Sequence, residues 1–280
     1  MSLYVNTNTS SINAQRQLAK STKAQDSSYQ KLASGFRINS AKDDAAGLQI
    51  SDRMTAQING LTQGNRNAND GISFAQTAEG ALDEVTNMLQ RMRTLAVQAE
   101  NGTNSSDERT ALNAEVTQLK DEINRIGSQT KFGKNLSVFS DNASFTLQVG
   151  AYSGNTISFQ TFSMSKVLGT SGLGVGLTDL NLAATANFGV SGNIDKIDAM
   201  LKNVDSYRAT LGAVQNRLES SISNQENVIE NVSDARSRIR DVDYASETAK
   251  MTQQSILQQA STSILSQANM KSQIALSLLG

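Results

Sequence analysis

The chain has 280 residues, enough for one large domain or two ordinary ones, and its formal net charge is −1. This charge provides no overall field that favours nucleic acid or an anionic membrane, and the absence of Cys and His excludes thiol nucleophiles, zinc fingers, imidazole bases and haem ligands. Proline and Trp are also absent and aromatic residues are few, which favours an elongated helical protein over a compact enzyme.

The first predicted helix, residues 11–36, has a weakly apolar face. The residues that share this face are Leu18, Thr22, Gln25, Tyr29, Leu32 and Phe36. Ser34-Gly35 is typical of a helix end, and Asn39-Ser40 is expected to cap the next helix. Asp43 and Asp44 are then expected in its first turn, where carboxylates interact favourably with the helix dipole.

The strongest helix signals lie at residues 75–99 and 194–239. In the first, apolar residues recur in steps of three and four, as Ala75, Ala78, Leu82, Val85, Leu89, Met92, Ala96 and Ala99. A stop at Asn101-Gly102 and a capping-box pattern from Ser105 to Glu108 predict a further helix packed antiparallel to the first. The second signal predicts a helix of about 70 Å, which must lie along other helices in coiled-coil-like packing.

The middle of the chain, residues 135–193, is poor in charge and rich in Gly, Ser, Thr and Asn. Alternating apolar residues around Ser153-Gly154-Asn155 predict a β-hairpin at about 143–162, and residues 163–192 are expected to form a loop. A last helix is predicted over 245–279, with a stripe of Ile256, Ala260, Ile264 and Ala268. The expected fold is mainly α: long antiparallel helices in a coiled-coil-like bundle with a small β-hairpin region.

Several short motifs suggest chemistry but have simpler interpretations. Ser28-Tyr-Gln-Lys31 fits a serine acyl-transferase pattern, yet a solvated helix face is the better interpretation. Asn65 to Gly71 resembles the opening of a calcium loop but lacks its glycine and glutamate positions, so we interpret it as a turn between helices. Asp43 and Asp44, being adjacent, point about 100° apart on a helix and are poorly placed to chelate one ion. We therefore expect no enzyme activity, metal or cofactor.

Longer segments carry a family signature. The chain closely resembles bacterial flagellin, in the family's order and spacing, at residues 6–8, 32–47, 66–73, 76–82, 90–98, 235–239, 243–245, 256–260 and 276–279. The resemblance implies that residues 1–44 and 237–280 are terminal helices of an inner filament core. It implies a helical rod domain at 45–162 and 193–236, and a short variable surface loop region at 163–192.

The resemblance and the apolar stripes together suggest functional residues. Those expected to act in assembly of the core helices are Leu18, Tyr29, Leu32, Phe36, Ile256, Ala260, Ile264, Ile274 and Leu278. Those expected to form a hinge between core and rod are Gly35, Arg37, Asp43 and Asp44. Those implied as contacts of a Toll-like receptor are Gln90, Arg91, Arg93, Leu95, Gln98 and Glu115, with Thr94 where many sensed flagellins carry an acidic residue.

The function implied is that of a structural subunit that polymerises into the flagellar filament for swimming, with terminal helices that fold on assembly. Expected partners are other flagellin subunits, an export chaperone, the filament cap and hook–filament junction proteins. The family is exported through the flagellar type III channel to the cell exterior, and the N-terminus here has no pattern of a cleaved signal peptide. No membrane insertion is expected. The alternatives are a hook–filament junction protein and, in another class, a secreted enzyme on a helical scaffold.

Overall fold

The structure is a computed structural model that describes residues 7–133, 136–139, 144–164, 182 and 191–277. Within these ranges five helices form, α1 (Thr9–Ser34), α2 (Ala45–Glu100), α3 (Ser106–Gln129), α4 (Ser191–Arg240) and α5 (Tyr244–Ser277). The strands are β1 (Lys131–Phe132), β2 (Leu136–Ser137), β3 (Ser144–Gln148) and β4 (Thr156–Gln160), paired as β1–β2 and β3–β4. The predicted mainly-α class is confirmed.

The residues group into two compact units. The terminal unit consists of Met1–Ile58 and Glu230–Gly280, and the central unit consists of Asn59–Ile229. The inner-core and rod assignments made from the sequence concern places in a filament, which a single chain does not test, so they stay predictions. Most of the expected loop at 163–192 lies outside the described residues, but Leu182 within it is fully buried.

In the central unit, α2 and α4 run antiparallel, as the sequence predicts. Arg93 bonds to Asp198, and Arg208 forms an ion pair with Asp83, so positions ascend along one helix as they descend along the other. The two helices are 56 and 50 residues long. A chain without proline can continue such helices unbroken, because every backbone N–H remains available for the helical hydrogen bond.

The turn expected at Asn65 to Gly71 is wrong, because this segment lies in the middle of α2. Asn67 Nδ2 donates to the backbone oxygen of Gln148 at 2.8 Å, and Asn69 Nδ2 donates to Asn65 O at 2.9 Å. The side chains of Asn67 and Asn69 thus find partners while the segment stays helical. Tertiary contact overrides the low helix propensity of Asn and Gly.

Both the predicted capping box and the predicted hairpin are confirmed. Ser105 Oγ accepts a hydrogen bond from the backbone N–H of Glu108, whose carboxylate accepts one from the backbone N–H of Ser105 at 2.6 Å. In the hairpin, Leu147 pairs with Ile157 across β3 and β4, and alternate side chains on this face are buried. The small β1–β2 pair was not predicted, since strands of two residues have no readable alternation.

The core of the central unit is continuous and apolar. Along α2 the predicted stripe from Ala75 to Ala99 is almost completely buried. Its partners on α4 include Ile197, Val204, Leu211 and Leu218, all buried. Aromatic rings add to the core, with Phe74 stacked on Phe145 at 4.8 Å between centroids. Burying side chains of this kind contributes about 1.5–3 kcal/mol each, so this unit has its own source of stability.

Glycines of α2 permit the hairpin segment to approach the helix backbone. A Cβ on Gly64 would lie 2.2 Å from Val149 O, and one on Gly60 would lie 2.8 Å from Ala151 Cβ. A Cβ on Gly71 would lie 2.2 Å from Leu147 Cδ1, the end of a side chain that can move. Because Val149 contributes backbone atoms at this contact, it cannot yield by a simple rotamer change, so the packing of hairpin on helix requires glycine at 64.

We predict that Gly64→Ala destabilises the central unit by about 1–3 kcal/mol through overpacking. The matched control is Gly80→Ala on the same helix, where nothing lies within 4 Å of the added Cβ. That substitution is expected to stabilise by about 0.5–1 kcal/mol, because alanine has the higher helix propensity. Chemical denaturation followed by circular dichroism measures both, and equal free energies of unfolding for the two variants would contradict this packing.

Candidate functional site at the helix junctions and terminal helices

The connector after α1 and the connector after α4 lie side by side in the terminal unit. Phe36 pairs with Asp241 in an isolated antiparallel β-bridge. The backbone N–H of Val242 donates to Gly35 O at 3.0 Å. Main-chain bonds therefore tie the two connectors together, and we call this element the paired junction, residues 35–38 and 240–242.

Two arginines reinforce the paired junction. The backbone N–H of Arg37 donates to Arg240 O at 2.6 Å, and its side-chain Nη2 donates to Ile239 O at 2.6 Å. The guanidinium of Arg240 lies 4.4 Å from the centre of the Phe36 ring, in a cation–π contact. Arg37, predicted as a hinge residue, thus contacts the main chain of the last two residues of α4.

Gly35 ends α1 in the left-handed conformation, with φ of 74°. Its backbone N–H donates to Lys31 O at 3.0 Å, which satisfies one carbonyl of the last helical turn. A Cβ at this position would lie 3.1 Å from the Tyr244 hydroxyl. Glycine therefore suits both the backbone turn and the close approach of α5, and the predicted helix end at Ser34-Gly35 is confirmed.

Asp43 and Asp44 precede α2 rather than lying in its first turn, so that expectation is wrong. Asp43 Oδ2 accepts bonds from the backbone N–H groups of Asn39 at 3.2 Å and Ser40 at 3.0 Å. Asp44 Oδ1 accepts one from the backbone N–H of Gly47 at 2.9 Å. Asp44 is therefore the residue that caps α2, in place of Asn39 or Ser40, because the helix begins directly after it.

Hydrogen bonding within this turn affects the titration of Asp43. The backbone N–H of Ser40, and next that of Asn39, lower the pKa of the Asp43 carboxyl below its ordinary value. A lowered pKa in the folded state means that the carboxylate's contribution to stability is present above the ordinary pKa. That contribution is lost as the pH falls through the lowered pKa, so the turn weakens only in acid.

The helices α1 and α5 pack antiparallel through small and polar side chains. Ser11 Oγ bonds to Asn269 Oδ1 at 3.0 Å, and Ser28 Oγ donates to Glu247 Oε1 at 2.7 Å. The buried and half-buried residues of this contact recur in steps of three and four. We call them the inner seam: Ser11, Ala14, Leu18, Ser21, Gln25, Ser28 and Leu32 on α1, and Glu247, Met251, Gln254, Gln258, Ser261, Leu265 and Ala268 on α5.

Ser28 and Lys31 do not form a nucleophile and its base. Ser28 is buried, so the expected solvated face is wrong at this position, and its hydroxyl donates to Glu247. Lys250 Nζ lies 3.3 Å from the other carboxylate oxygen. Burial raises the pKa of Glu247, but the hydrogen bonds from Ser28 and Lys250 outweigh burial and hold the pKa below its ordinary value. The Glu247 side chain thus remains ionised at neutral pH.

Several apolar side chains predicted to act in assembly face away from the inner seam. Ile256 is 61% exposed and Ile264 is 55% exposed. We call the exposed apolar side chains of α5 the outer ridge: Ile256, Leu257, Ile264 and Met270. Of the other predicted residues, the exposed ones are Tyr29 and Ala260, and the half-buried ones are Leu18, Leu32 and Phe36. The side chains of Ile274 and Leu278 lie outside the described part of the chain.

The residues implied as receptor contacts lie on α2 and α3 of the central unit. Arg91 forms an ion pair with Glu115 at 2.7 Å, and Arg93 bonds to Asp198 at 2.6 Å. Gln90 and Gln98 are exposed. Leu95 is buried in the core with 1% exposure, so its side chain presents no surface for direct contact. Receptor binding itself stays a prediction.

A cavity of about 610 Å³ adjoins the paired junction and is lined by both basic and acidic residues. Its carboxylates are all engaged: Asp43 and Asp44 in the bonds described above, Asp243 with backbone N–H groups that begin α5, and Glu247 with Ser28 and Lys250. No group of three His, Cys, Asp or Glu side chains that could hold a metal occurs among the described residues. The observed bonds hold the turn before α2 and the start of α5 in place.

Sequence reasoning missed Glu247, Asp243 and Arg240 as parts of this region. Ala14, Ser21 and Ser28 recur at seven-residue intervals, and this repeat of small residues is the signal that could have identified the inner face of α1.

In the described part of the chain, no helix combines the length and the apolar character needed to cross a membrane.

Two family descriptions match most of the chain. Residues 5–143 match the bacterial flagellin N-terminal helical region, and residues 194–279 match the bacterial flagellin C-terminal helical region. The chain is 39% identical to polar flagellin B/D of Vibrio parahaemolyticus and 40% identical to flagellin A of Vibrio cholerae, in both cases over 378 aligned positions covering 100% of each chain. These alignments are longer than this chain, so the relatives contain residues without a counterpart here.

One solved structure agrees in fold. A putative flagellar hook-associated protein from Vibrio parahaemolyticus has a TM-score of 0.61 at 15% identity, covering 72% of this chain and 99% of that one. Bacillus cereus flagellin has a TM-score of 0.49 at 34% identity, covering 57% and 88%. The hook-associated likeness shows the fold alone, so nothing favours the junction-protein alternative. The matches over both ends and the full-length identity show that this chain belongs to the bacterial flagellins and is a structural subunit of the flagellar filament.

Proposed function

We propose that α1 and α5 form the inner core of the filament and complete their folding only when subunits assemble. The observation that carries this proposal is the distribution of side chains on the helix pair. Its inner seam is rich in Ser, Gln and Ala, whereas the outer ridge is apolar and exposed. An isolated helix pair gains little by burying small polar groups, so its stability must come from surfaces of other subunits.

The outer ridge is the surface that other subunits would cover. Four large apolar side chains that are between 37% and 61% exposed lie on one side of α5. Burying an Ile, Leu or Met side chain contributes about 1.5–3 kcal/mol, so repeated contacts along a filament offset the entropy of ordering the two helices. The same contacts are absent in a dilute monomer.

The remaining domain assignments follow from this proposal. Residues 1–44 and 237–280 supply the inner core, and residues 45–162 and 193–236 form the surrounding rod, with 163–192 at its surface. Gly35, Arg37, Asp43 and Asp44 act as a joint between core and rod. Support comes from the paired junction. Its main-chain bonds hold the two connectors together, and the side chains of Arg37 and Arg240 make further contacts across it.

The proposals about export and further partners are based on the chain's membership of the flagellin family. We propose that the chain is exported without a cleaved signal peptide to the extracellular filament, with the help of a chaperone. The filament cap and the hook–filament junction proteins would then contact its terminal helices. Recognition by a Toll-like receptor would use Gln90, Arg91, Arg93, Gln98 and Glu115. Their position at the surface of the central unit supports this role. Thr94, which stands where many sensed flagellins carry an acidic residue, is expected to lower the potency with which the chain activates the receptor.

The assembly proposal predicts that Ile256→Ser combined with Ile264→Ser raises the critical concentration for polymerisation at least about tenfold. The reason is that two exposed side chains lose the burial that other subunits provide. Sedimentation of salt-induced filaments measures the effect. The control is Val97→Ser, which changes an apolar side chain of α2 that is 50% exposed and should change the critical concentration less than about threefold. Unchanged polymerisation of the double variant would refute the outer ridge as an assembly surface.

If Asp44 caps α2 at the joint, two substitutions of Asp44 should differ in their effect on the stability and shape of the filament. Asp44→Ala removes the cap of α2 and should destabilise the junction by about 1 kcal/mol, with a lower melting temperature or an altered filament shape. Asp44→Asn keeps a capping oxygen and should leave both properties close to those of the unsubstituted filament. Calorimetry and electron microscopy of filaments make the comparison. Identical behaviour of the two variants would argue against a structural role for the cap.

A further inference from the structure

The sequence contains two Asn-Gly pairs, Asn59-Gly60 and Asn101-Gly102. In such a pair the backbone nitrogen of the glycine can attack the asparagine side chain. Glycine favours this attack because it has no Cβ to block the approach and adopts backbone angles that other residues avoid. Both pairs belong to the central unit, but their surroundings differ. The structure therefore distinguishes two sites that the sequence alone makes equivalent.

The first pair is held inside α2. Asn59 and Gly60 lie in the interior of this helix of 56 residues, where the backbone N–H of Gly60 donates to the carbonyl one turn earlier. A Cβ at Gly60 would lie 2.8 Å from Ala151 Cβ, so the hairpin segment packs against this turn. The Gly60 nitrogen can therefore reach the Asn59 side chain only when the helix opens locally, which costs free energy.

The second pair lies directly after α2, in the turn that precedes α3. Asn101 and Gly102 are both exposed. In the described part of the chain, the backbone N–H of Gly102 has no hydrogen-bond acceptor. Asn101 Oδ1 accepts only a long bond, at 3.5 Å, from the backbone N–H of Thr103. The attacking nitrogen and the side-chain amide are thus both accessible, and neither is held firmly.

Asn104, in the same turn, is fixed on both sides. Its Nδ2 donates to Gln98 O at 2.6 Å. The backbone N–H of the next residue, Ser105, donates to the Glu108 carboxylate at 2.6 Å in the capping box. The nitrogen that would attack Asn104 is therefore engaged, and the Cβ of serine obstructs its approach. Only Asn101 in this turn combines a loosely held side-chain amide with a free backbone nitrogen after it.

We propose that Asn101 is a site of spontaneous deamidation, with water as the only co-reactant. The Gly102 nitrogen loses its proton to solvent and attacks Asn101 Cγ. The new N–Cγ bond forms, the Cγ–Nδ2 bond breaks, and Nδ2 takes a proton from solvent and leaves as ammonia. Water then opens the resulting succinimide ring at either carbonyl. The products are aspartate and isoaspartate, in which the main chain runs through Cγ, and no group is oxidised or reduced.

The products change the charge and the geometry of this turn. The last turn of α2 contains Glu100 and no basic residue, so a new carboxylate is added at the end of the helix where negative charge is unfavourable. In isoaspartate, the carbonyl of Asn101 that accepts a bond from the Asn104 N–H at 3.1 Å becomes a carboxylate beside the main chain. The inference concerns the central unit alone and does not depend on the proposed folding of the terminal helices.

Time courses of the full-length chain test the proposal, in warm, mildly alkaline buffer with and without denaturant. Samples are digested at acid pH, where deamidation is slow, and analysed by peptide mass spectrometry, with isoaspartate measured by enzymatic methylation. In the folded chain Asn101 should deamidate at least about tenfold faster than Asn59, because the reaction of Asn59 requires local opening of α2. In denaturant the two rates should be similar.

Gly102→Ala is the decisive variant, because it changes the reaction without disturbing the fold. Gly102 is not among the glycines with positive φ in the described residues, and a Cβ there meets no atom within 4 Å. The variant should slow deamidation of Asn101 at least about tenfold through obstruction of the attack. The matched control Gly80→Ala should leave this rate unchanged. The proposal is overturned if Asn101 reacts no faster than Asn59 in the folded chain, or if Gly102→Ala fails to slow it.

Discussion

The constraint on which the structure depends is that a helix pair with a polar seam must bury its apolar side chains somewhere else. In α1 and α5 most residues that face each other are Ser, Gln and Ala, beside one buried carboxylate and the half-buried Leu18, Leu32, Met251 and Leu265, while Ile256 and Ile264 face outward. This arrangement is unfavourable for an isolated chain, because apolar surface stays in water and the seam contributes little. We propose that it becomes favourable when copies of the chain cover one another in the filament.

The central unit differs, because its apolar side chains are buried within the chain. Its apolar stripes on α2 and α4 meet inside the chain, aromatic rings stack beside them, and its glycines let the hairpin lie close to the helix backbone. This unit therefore has a buried apolar core of its own. In the proposed account, one chain combines a central unit that has its own core with terminal helices whose stability depends on assembly, and the main-chain bonds of the paired junction hold the connector after α1 against the end of α4 and the connector after it.

Patterns that depend on neighbours in the chain could be predicted from the sequence. The stripe from Ala75 to Ala99, the capping box at Ser105 and the alternation around Leu147 each reflect local geometry, and each was confirmed. Periodicity could not show whether an apolar stripe is covered by the same chain or by another one, so the face of α5 that packs on α1 was missed. The buried state of Ser28 depends on Glu247, more than 200 positions away. The helical course through Asn65 depends likewise on contacts with a distant hairpin.

Amide hydrogen exchange, compared between dilute monomer and filament, tests the central claim most directly. In the dilute monomer, amides of α1 and α5 are expected to exchange at nearly unprotected rates, while those of α2 between Ala75 and Ala99 remain protected by the core of the central unit. In the filament, both sets should be protected. Strong protection of α1 and α5 in the dilute monomer would contradict the claim that these helices depend on neighbouring subunits for their order.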